Sequence, residues 1–269
     1  LLLKIAFIGD SFSAYHQDGQ FKNSWTYQLS QQFPQHEYHN YACGGRGYDY
    51  YQWCLLDAKI QHDVDLIFTN RTFNHRVGKL WGNQTFRFEI DKIGQDKHMY
   101  FANTGAEYNN RRYEGFEISD NYTCWNPNKE IWYSAGLHER VNIMSNPKKV
   151  HPMEAGFLFG LQDESSSEHK QSYNDQWYDN MHNLYNFKHI IKLELLHMSG
   201  NLPSATKAMY AAHGINKGGL KPFKEEQLEC FKAGLIVSPT DDHWSRQGNM
   251  WALKNYILTK ETIDILSEV

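Results

Sequence analysis

Three residues from opposite ends of the chain have the types and spacing for covalent chemistry: Ser11 near the start, Asp241 and His243 near the end. A serine hydroxyl becomes a nucleophile at neutral pH when a base within hydrogen-bond reach takes its proton. His243 suits that role, in a polar stretch beside carboxylates and just ahead of an expected helix. Asp241, two residues upstream, can turn back onto the other ring nitrogen, fix the tautomer and stabilise the imidazolium as it forms. Asp242 competes for that place; side chains of adjacent residues diverge, and Asp241 is preferred. Acyl transfer also needs hydrogen-bond donors where negative charge develops on oxygen. The backbone N–H groups of Ser11 and Gly45 are candidates, because glycine lets the backbone approach closely. A side-chain amide from Asn70 or Asn74 is the third donor. Such centres are defined by geometry and not by order along the chain.

The elements that must position these groups begin with Lys4–Ser13, KIAFIGDSFS. A buried strand over Leu2–Ile8 stops at Gly9 and hands over to Asp10 and Ser11. Ligands of open parallel sheets bind just beyond the carboxyl ends of the strands, which puts Ser11 at the mouth of a site. Ser24 is expected to cap a helix carrying Trp25, Leu29 and Phe33 on one face and ending before Pro34. His36–Ala42 reads as a second strand, running into Cys43-Gly44-Gly45-Arg46-Gly47. Asp49 is expected to cap a helix over Tyr50–Gln61 with Trp53, Leu56 and Ile60 on its apolar side. A third strand starts at Asp63, followed by a polar loop from Asn70 to Arg76. Strand–helix–strand–helix–strand at short spacing implies parallel strands with crossover helices.

The character then changes. Leu80–Ser172 is rich in Asn, Tyr, Trp and Gly without a clean period, and reads as a large insertion or cap within a single domain over 1–269. Phe86–Ile90, Glu130–Ser134 and Gly156–Leu161 are its strand candidates. Asp163–Ser172 reads as a polar linker. Tyr173–Met198 reads as one long helix, with Trp177, Met181, Leu184, Tyr185, Ile191 and Leu195 on one face. Thr206–Ala212 reads as a strand, Lys224–Phe231 as a short helix, and Gly234–Ser238 as a last apolar run. Ser245 is expected to cap a final helix through Trp251, Leu253 and Tyr256.

Bulk properties narrow the classes. The 269 residues carry a formal net charge of −4 and no basic block, which argues against nucleic acid as a partner. Hydrophobic residues make up 41% and charged residues 22%, the balance of a folded chain and not a disordered one. No apolar run reaches membrane-spanning length. The four cysteines are widely spaced, with no C-x-x-C pair, so zinc knuckles and disulfide scaffolds are disfavoured and at most one bridge is expected. His138, His151 and His169 lack ligand-like spacing, and neither metal nor cofactor is called for. The opening Leu-Leu-Leu run is too short for a complete signal peptide, and the chain opens without Met. Both a cytoplasmic location and a secreted one with an upstream segment missing fit. Aromatic residues reach 15%. Trp81, Trp125, Trp132, Tyr108, Tyr113 and Tyr133 either line a groove where a sugar ring would stack or pack the insertion's own core.

Taken together, these blocks resemble the SGNH, or GDSL-type, hydrolase family. Gly9-Asp10-Ser11 resembles its first block, whose serine is the nucleophile. Asn40 through Gly45 resembles the second, which makes Gly45 an oxyanion donor. Counting from Asp65, Asn74 falls where the family's asparagine would, although Thr72 and His75 stand in place of its Gly and Asp. The fourth block departs from Asp-x-x-His, since Thr240 stands three before His243. Asp241-Asp242-His243-Trp244 instead resembles an Asp-x-His-Trp variant seen in enzymes acting on acetylated polysaccharides. Ser245 and Gly248 agree with the family's opening of the last helix. The resemblance covers about Leu3–His75 and Phe223–Tyr256. It implies an α/β fold, a flavodoxin-like three-layer α/β/α sandwich with a central parallel sheet and a large insertion. It also implies a serine esterase acting on a small-molecule or polysaccharide ester, a carbohydrate O-acetylesterase above all. The alternative is a carbohydrate-binding or structural protein on a degenerate scaffold of that kind.

Overall fold

A computed structural model describes residues 2–14, 21–44, 46–72, 77–80, 113–127, 132–135, 176–181, 185–195, 205–215 and 224–268. The first strand, β1 (Lys4–Ile8), is followed by a 3-10 turn at Phe21–Asn23, α1 (Trp25–Gln32), β2 (Glu37–Asn40), α2 (Tyr48–His62) and β3 (Leu66–Asn70). Further along lie β4 (Val77–Leu80), β5 (Tyr113–Ser119), β6 (Tyr122–Pro127), β7 (Trp132–Ala135) and β8 (His189–Leu193). Helices α3 (Ala205–Ala212) and α4 (Lys224–Lys232) lead to β9 (Ile236–Ser238) and β10 (Asp241–Trp244). Helix α5 (Arg246–Ala252) runs into a π-helical turn at Leu253–Ile257, and α6 (Lys260–Ser267) closes the chain.

The central sheet has six strands in the order β5-β6-β2-β1-β3-β8. All pairings are parallel except β5 with β6. β2 and β3 lie on opposite sides of β1, so the winding reverses at β1 and leaves a crevice beyond its carboxyl end. The two-residue period of the strands feeds two cores. Ile5, Phe7, Leu66 and Phe68 face α1, α3, α5 and α6, around Trp25, Leu29, Met209 and Ala252. Ala6, Ile8 and Ile67 face α2 and the helical segment at 176–180, around Tyr51, Cys54, Leu55 and Tyr178. The result is an α/β fold with helices on both faces of a mostly parallel sheet.

Several elements follow the sequence closely. The Ser24 side chain caps α1 through Tyr27 N–H, and the helix ends at Phe33, one residue before Pro34. Ser245 caps α5 through Gly248 N–H. Others differ. Helix α2 starts two residues early, with Gly47 and not Asp49 at its N-cap. Its buried side is Tyr51, Cys54, Leu55 and Ala58, while Ile60 is exposed. Asp63 does not open β3; it ends α2 in the left-handed conformation, φ 48°.

The expected helix over Tyr173–Met198 is broken at Asn186, φ 52°, after which His189–Leu193 pairs in parallel with Leu66–Asn70. Apolar residues that fit a helical face there also fit a strand once β3 offers an open edge. The expected strand at Thr206–Ala212 is helix α3, and its buried residues Ala205, Thr206, Met209 and Tyr210 follow a helical repeat. Within the stretch read as an insertion, β5 and β6 extend the central sheet beyond β2, and β7 pairs with β4. The strand candidates Phe86–Ile90 and Gly156–Leu161, the linker Asp163–Ser172, Trp81, Tyr108 and the three histidines His138, His151 and His169 lie outside the described residues. The four cysteines are free thiols, so the bridge allowed by the sequence is not formed. No described helix is long and apolar enough to cross a membrane.

Candidate active site

The turn after β1 is built on a close approach. A Cβ on Gly9 would stand 1.9 Å from Asn70 Oδ1 and 2.9 Å from Ser13 Oγ, so only glycine fits between β1 and the end of β3. Asp10 is fully buried. Its Oδ1 accepts from Phe12 N–H and from Asn70 Nδ2, both at 3.1 Å, and its Oδ2 accepts from Thr72 Oγ1 at 3.3 Å. The Asp10 carbonyl accepts from Ser13 and Ala14 N–H at 3.0 and 2.9 Å, which winds Asp10–Ala14 into one tight turn. Ser13 Oγ donates to Asn70 Oδ1 at 2.6 Å. Ser11 sits on this turn, half-buried. Neither its N–H nor its hydroxyl is hydrogen-bonded to a described residue; for the N–H this is what the start of a helical turn leaves open.

The second component is the hairpin β9–β10. Asp241 pairs with Ser238 and Trp244 with Ile236, which leaves one extra residue on β10 between the pairs. A bulge of this kind re-aims side chains. Asp241 Oδ1 accepts from His243 N–H at 3.0 Å and lies 2.5 Å from His243 Nδ1. With Nδ1 carrying the proton toward Asp241, the neutral ring keeps its lone pair on Nε2, the arrangement a general base needs. Nε2 is shielded from solvent, while the Asp241 side chain is 48% exposed. The imidazole stacks on the Phe12 ring, centroids 5.2 Å apart with planes 25° from parallel. Trp244 meets the same Phe12 ring edge-on at 5.2 Å.

The late histidine therefore packs against the residue that follows Ser11. No Ser11–His243 hydrogen bond is formed; the two blocks touch through Phe12. Gly45, Asn74 and the side chain of Asp242 lie outside the described residues. Asn70 is buried, and its Nδ2 already donates to Asp10 Oδ1 and to the Arg71 carbonyl at 3.1 Å each. It acts as an anchor of the turn, and stabilising an oxyanion would require it to give up one of those bonds. Trp125 also differs from the groove reading. Its indole donates to His39 Nδ1 at 3.0 Å, and its ring lies against His62 and Tyr41 at the sheet face. Among the described residues no three His, Cys, Asp or Glu side chains are grouped to hold a metal ion.

Sequence reasoning missed the anchors Asn70 and Thr72 as such. The available signal was a glycine ending one strand and an asparagine ending its neighbour, which is what a close crossing requires.

No family model matches the chain, and no curated protein matches it. Among solved structures, a candidate lipolytic protein of the G-D-S-L family from Desulfitobacterium hafniense DCB-2 is similar at 12% identity and a TM-score of 0.34. The match covers 94% of this chain and 98% of that one.

Proposed function

We propose that the protein is a serine esterase in which Ser11 is the nucleophile, His243 the base and Asp241 the residue that orients it. One observation carries the reading: the His243 ring is bonded through Nδ1 to Asp241 and stacked on Phe12, the residue next to Ser11. In the proposed reaction Ser11 Oγ attacks an ester carbonyl while His243 Nε2 takes its proton. The N–H groups of Ser11 and Gly45 and the amide of Asn74 receive the oxyanion. The tetrahedral species collapses to an acyl-serine, and the alcohol leaves with the proton held by His243. Water then releases the acid by the same steps in reverse.

The substrate proposed is an O-acetylated carbohydrate. Support for this finer step is the Asp241-Asp242-His243-Trp244 resemblance alone, since Trp125 is committed to packing. A serine-directed fluorophosphonate tests the mechanism. Labelling is expected on Ser11, lost in Ser11→Ala and slowed at least tenfold in His243→Ala. Unlabelled folded protein that also leaves p-nitrophenyl acetate untouched would mark a non-catalytic scaffold. Faster turnover of octanoyl than of acetyl esters, with no acetate released from acetylated xylan, would remove the carbohydrate assignment and leave the esterase.

A further inference from the structure

The two blocks of the candidate site are more than 200 residues apart in sequence, and stacking of Phe12 on His243 does not by itself fix their separation. Two buried side chains connect them. Trp25, fully buried at the start of α1, donates its indole N–H to the Phe12 carbonyl at 2.9 Å. Its backbone N–H donates to Asn249 Oδ1 at 3.0 Å. Asn249, 4% exposed on α5, uses both of its amide hydrogens on the end of the hairpin: Trp244 carbonyl at 3.0 Å and Ser245 carbonyl at 2.9 Å. An unbroken path of hydrogen bonds thus runs from the carbonyl of the residue after Ser11 to the carbonyl of the residue after His243. The side-chain amide of Asn249 uses its oxygen and both of its hydrogens in these bonds.

Satisfied buried polar groups of this kind allow one arrangement, because any shift leaves a donor or acceptor unpaired in the core. A stacked ring pair tolerates sliding; this path does not. We infer that Trp25 and Asn249 are positioning residues that set where His243 stands relative to Ser11. The functional part of the inference rests on the esterase reading, whereas the structural part does not.

The test therefore uses one readout for each part. In the full-length protein, the nuclear Overhauser contact between the Phe12 and His243 rings reports the separation without any turnover. Trp25→Phe keeps an aromatic ring at this buried position and removes the indole N–H together with part of the bicycle. Asn249→Asp keeps the shape and replaces the donating NH2 group with an acceptor oxygen. Each variant is expected to weaken the Phe12–His243 contact and to lower kcat for p-nitrophenyl acetate about 10- to 100-fold, with KM within twofold. The imidazole limb of the pH–rate profile should be lost, the outcome also expected for His243→Ala. Loss of folded protein alone would scale the rate and leave that limb in place. An unchanged ring contact in folded variants overturns the inference, as does a weakened contact with kcat per folded molecule within twofold of the parent. Where neither variant folds, the parent decides: the Trp25 indole N–H should be among the slowest to exchange of the 8 tryptophan indoles, and fast exchange sinks the proposal. A parent with no Ser11-dependent turnover defeats the esterase reading, while the ring contact still judges the path.

Discussion

The turn at Gly9–Ser13 and the hairpin at Asp241–Trp244 meet across the Phe12 ring, and they are held by different physics. Asp10 is fully buried and accepts hydrogen bonds from Phe12, Asn70 and Thr72. Asp241 has 48% of its side chain in solvent and accepts from His243 through both the backbone N–H and the ring. Removing a hydrogen-bond donor from a buried carboxylate leaves an oxygen unsatisfied, at a cost of about 1–3 kcal/mol. Removing an exposed carboxylate costs little stability. The turn therefore sets position through packing, and lesions there should register as lost fold. The hairpin sets orientation through a part-exposed carboxylate, and lesions there should register as lost rate with the fold intact.

The strongest way to break that contrast is Gly9→Ala. The new methyl would stand 1.9 Å from Asn70 Oδ1, so either β3 moves away from β1 or Asn70 releases both Ser13 and Asp10. We expect a loss of about 3 kcal/mol or more in urea unfolding, at the upper end of overpacking effects. A loss under about 1 kcal/mol would show that the crossing yields easily and that the turn is no more rigid than the hairpin.

Acid should act on the same half of the molecule. His39, on β2, stacks on His62 at 4.4 Å, accepts from the Trp125 indole at 3.0 Å and has Nε2 3.0 Å from Glu37. Burial, with smaller contributions from His62 and Lys4, pushes its imidazole from 6.5 down to about 3. A lowered value means that the unfolded chain binds the proton first. The stability tied to neutral His39 is complete above about pH 6.5 and drains away as pH falls toward 3. At about 1.4 kcal/mol per unit, the fall between pH 7 and 5 is about 2 kcal/mol. Urea midpoints at several pH values measure it, and His39→Gln should flatten the slope. An equal slope in the variant would assign the acid sensitivity to other groups.

For the hairpin, Asp241→Asn is the matching experiment. The amide keeps the size of the side chain and can leave His243 in the wrong tautomer. On the esterase reading we expect kcat/KM to fall about 10- to 100-fold, less than for a buried triad carboxylate because water can partly replace this one. Thermal stability should stay within about 0.5 kcal/mol of the parent. A rate within twofold of the parent would remove Asp241 from the machinery and leave Phe12 stacking as what holds the ring.

The same division shows in what the amino-acid sequence reveals. Local devices were readable: the Ser24 cap, the stop before Pro34, the Ser245 cap, and the pairing of Asp241 with His243, which needs only two residues of chain. Elements decided by a distant partner were not. His189–Leu193 is a strand because β3 presents an open edge, and no feature of Tyr173–Met198 says so. Ala205–Ala212 contains a Thr and a Tyr that suit a strand, but its Ala-rich repeat buries one helical side. Trp25 and Asn249 meet across 224 residues, a relation no spacing rule contains.

The smallest effect separates a cap from a positioner. Ser245 Oγ accepts from Gly248 N–H at 3.1 Å and donates to the Gly234 carbonyl, directly after the hairpin. Ser245→Ala leaves the first turn of α5 with one unpaired donor and takes a donor from the Gly234 carbonyl, a loss of about 1 kcal/mol. For a chain of this size that is a fall in Tm of about 2–4 °C. Asn249 still holds the Trp244 and Ser245 carbonyls in this variant, and Asp241 still holds His243. Turnover per folded molecule should therefore stay within about twofold of the parent. A larger drop would mean that the hairpin takes its position from the helix cap, and the contrast between a packed turn and a lightly held hairpin would have to include the start of α5.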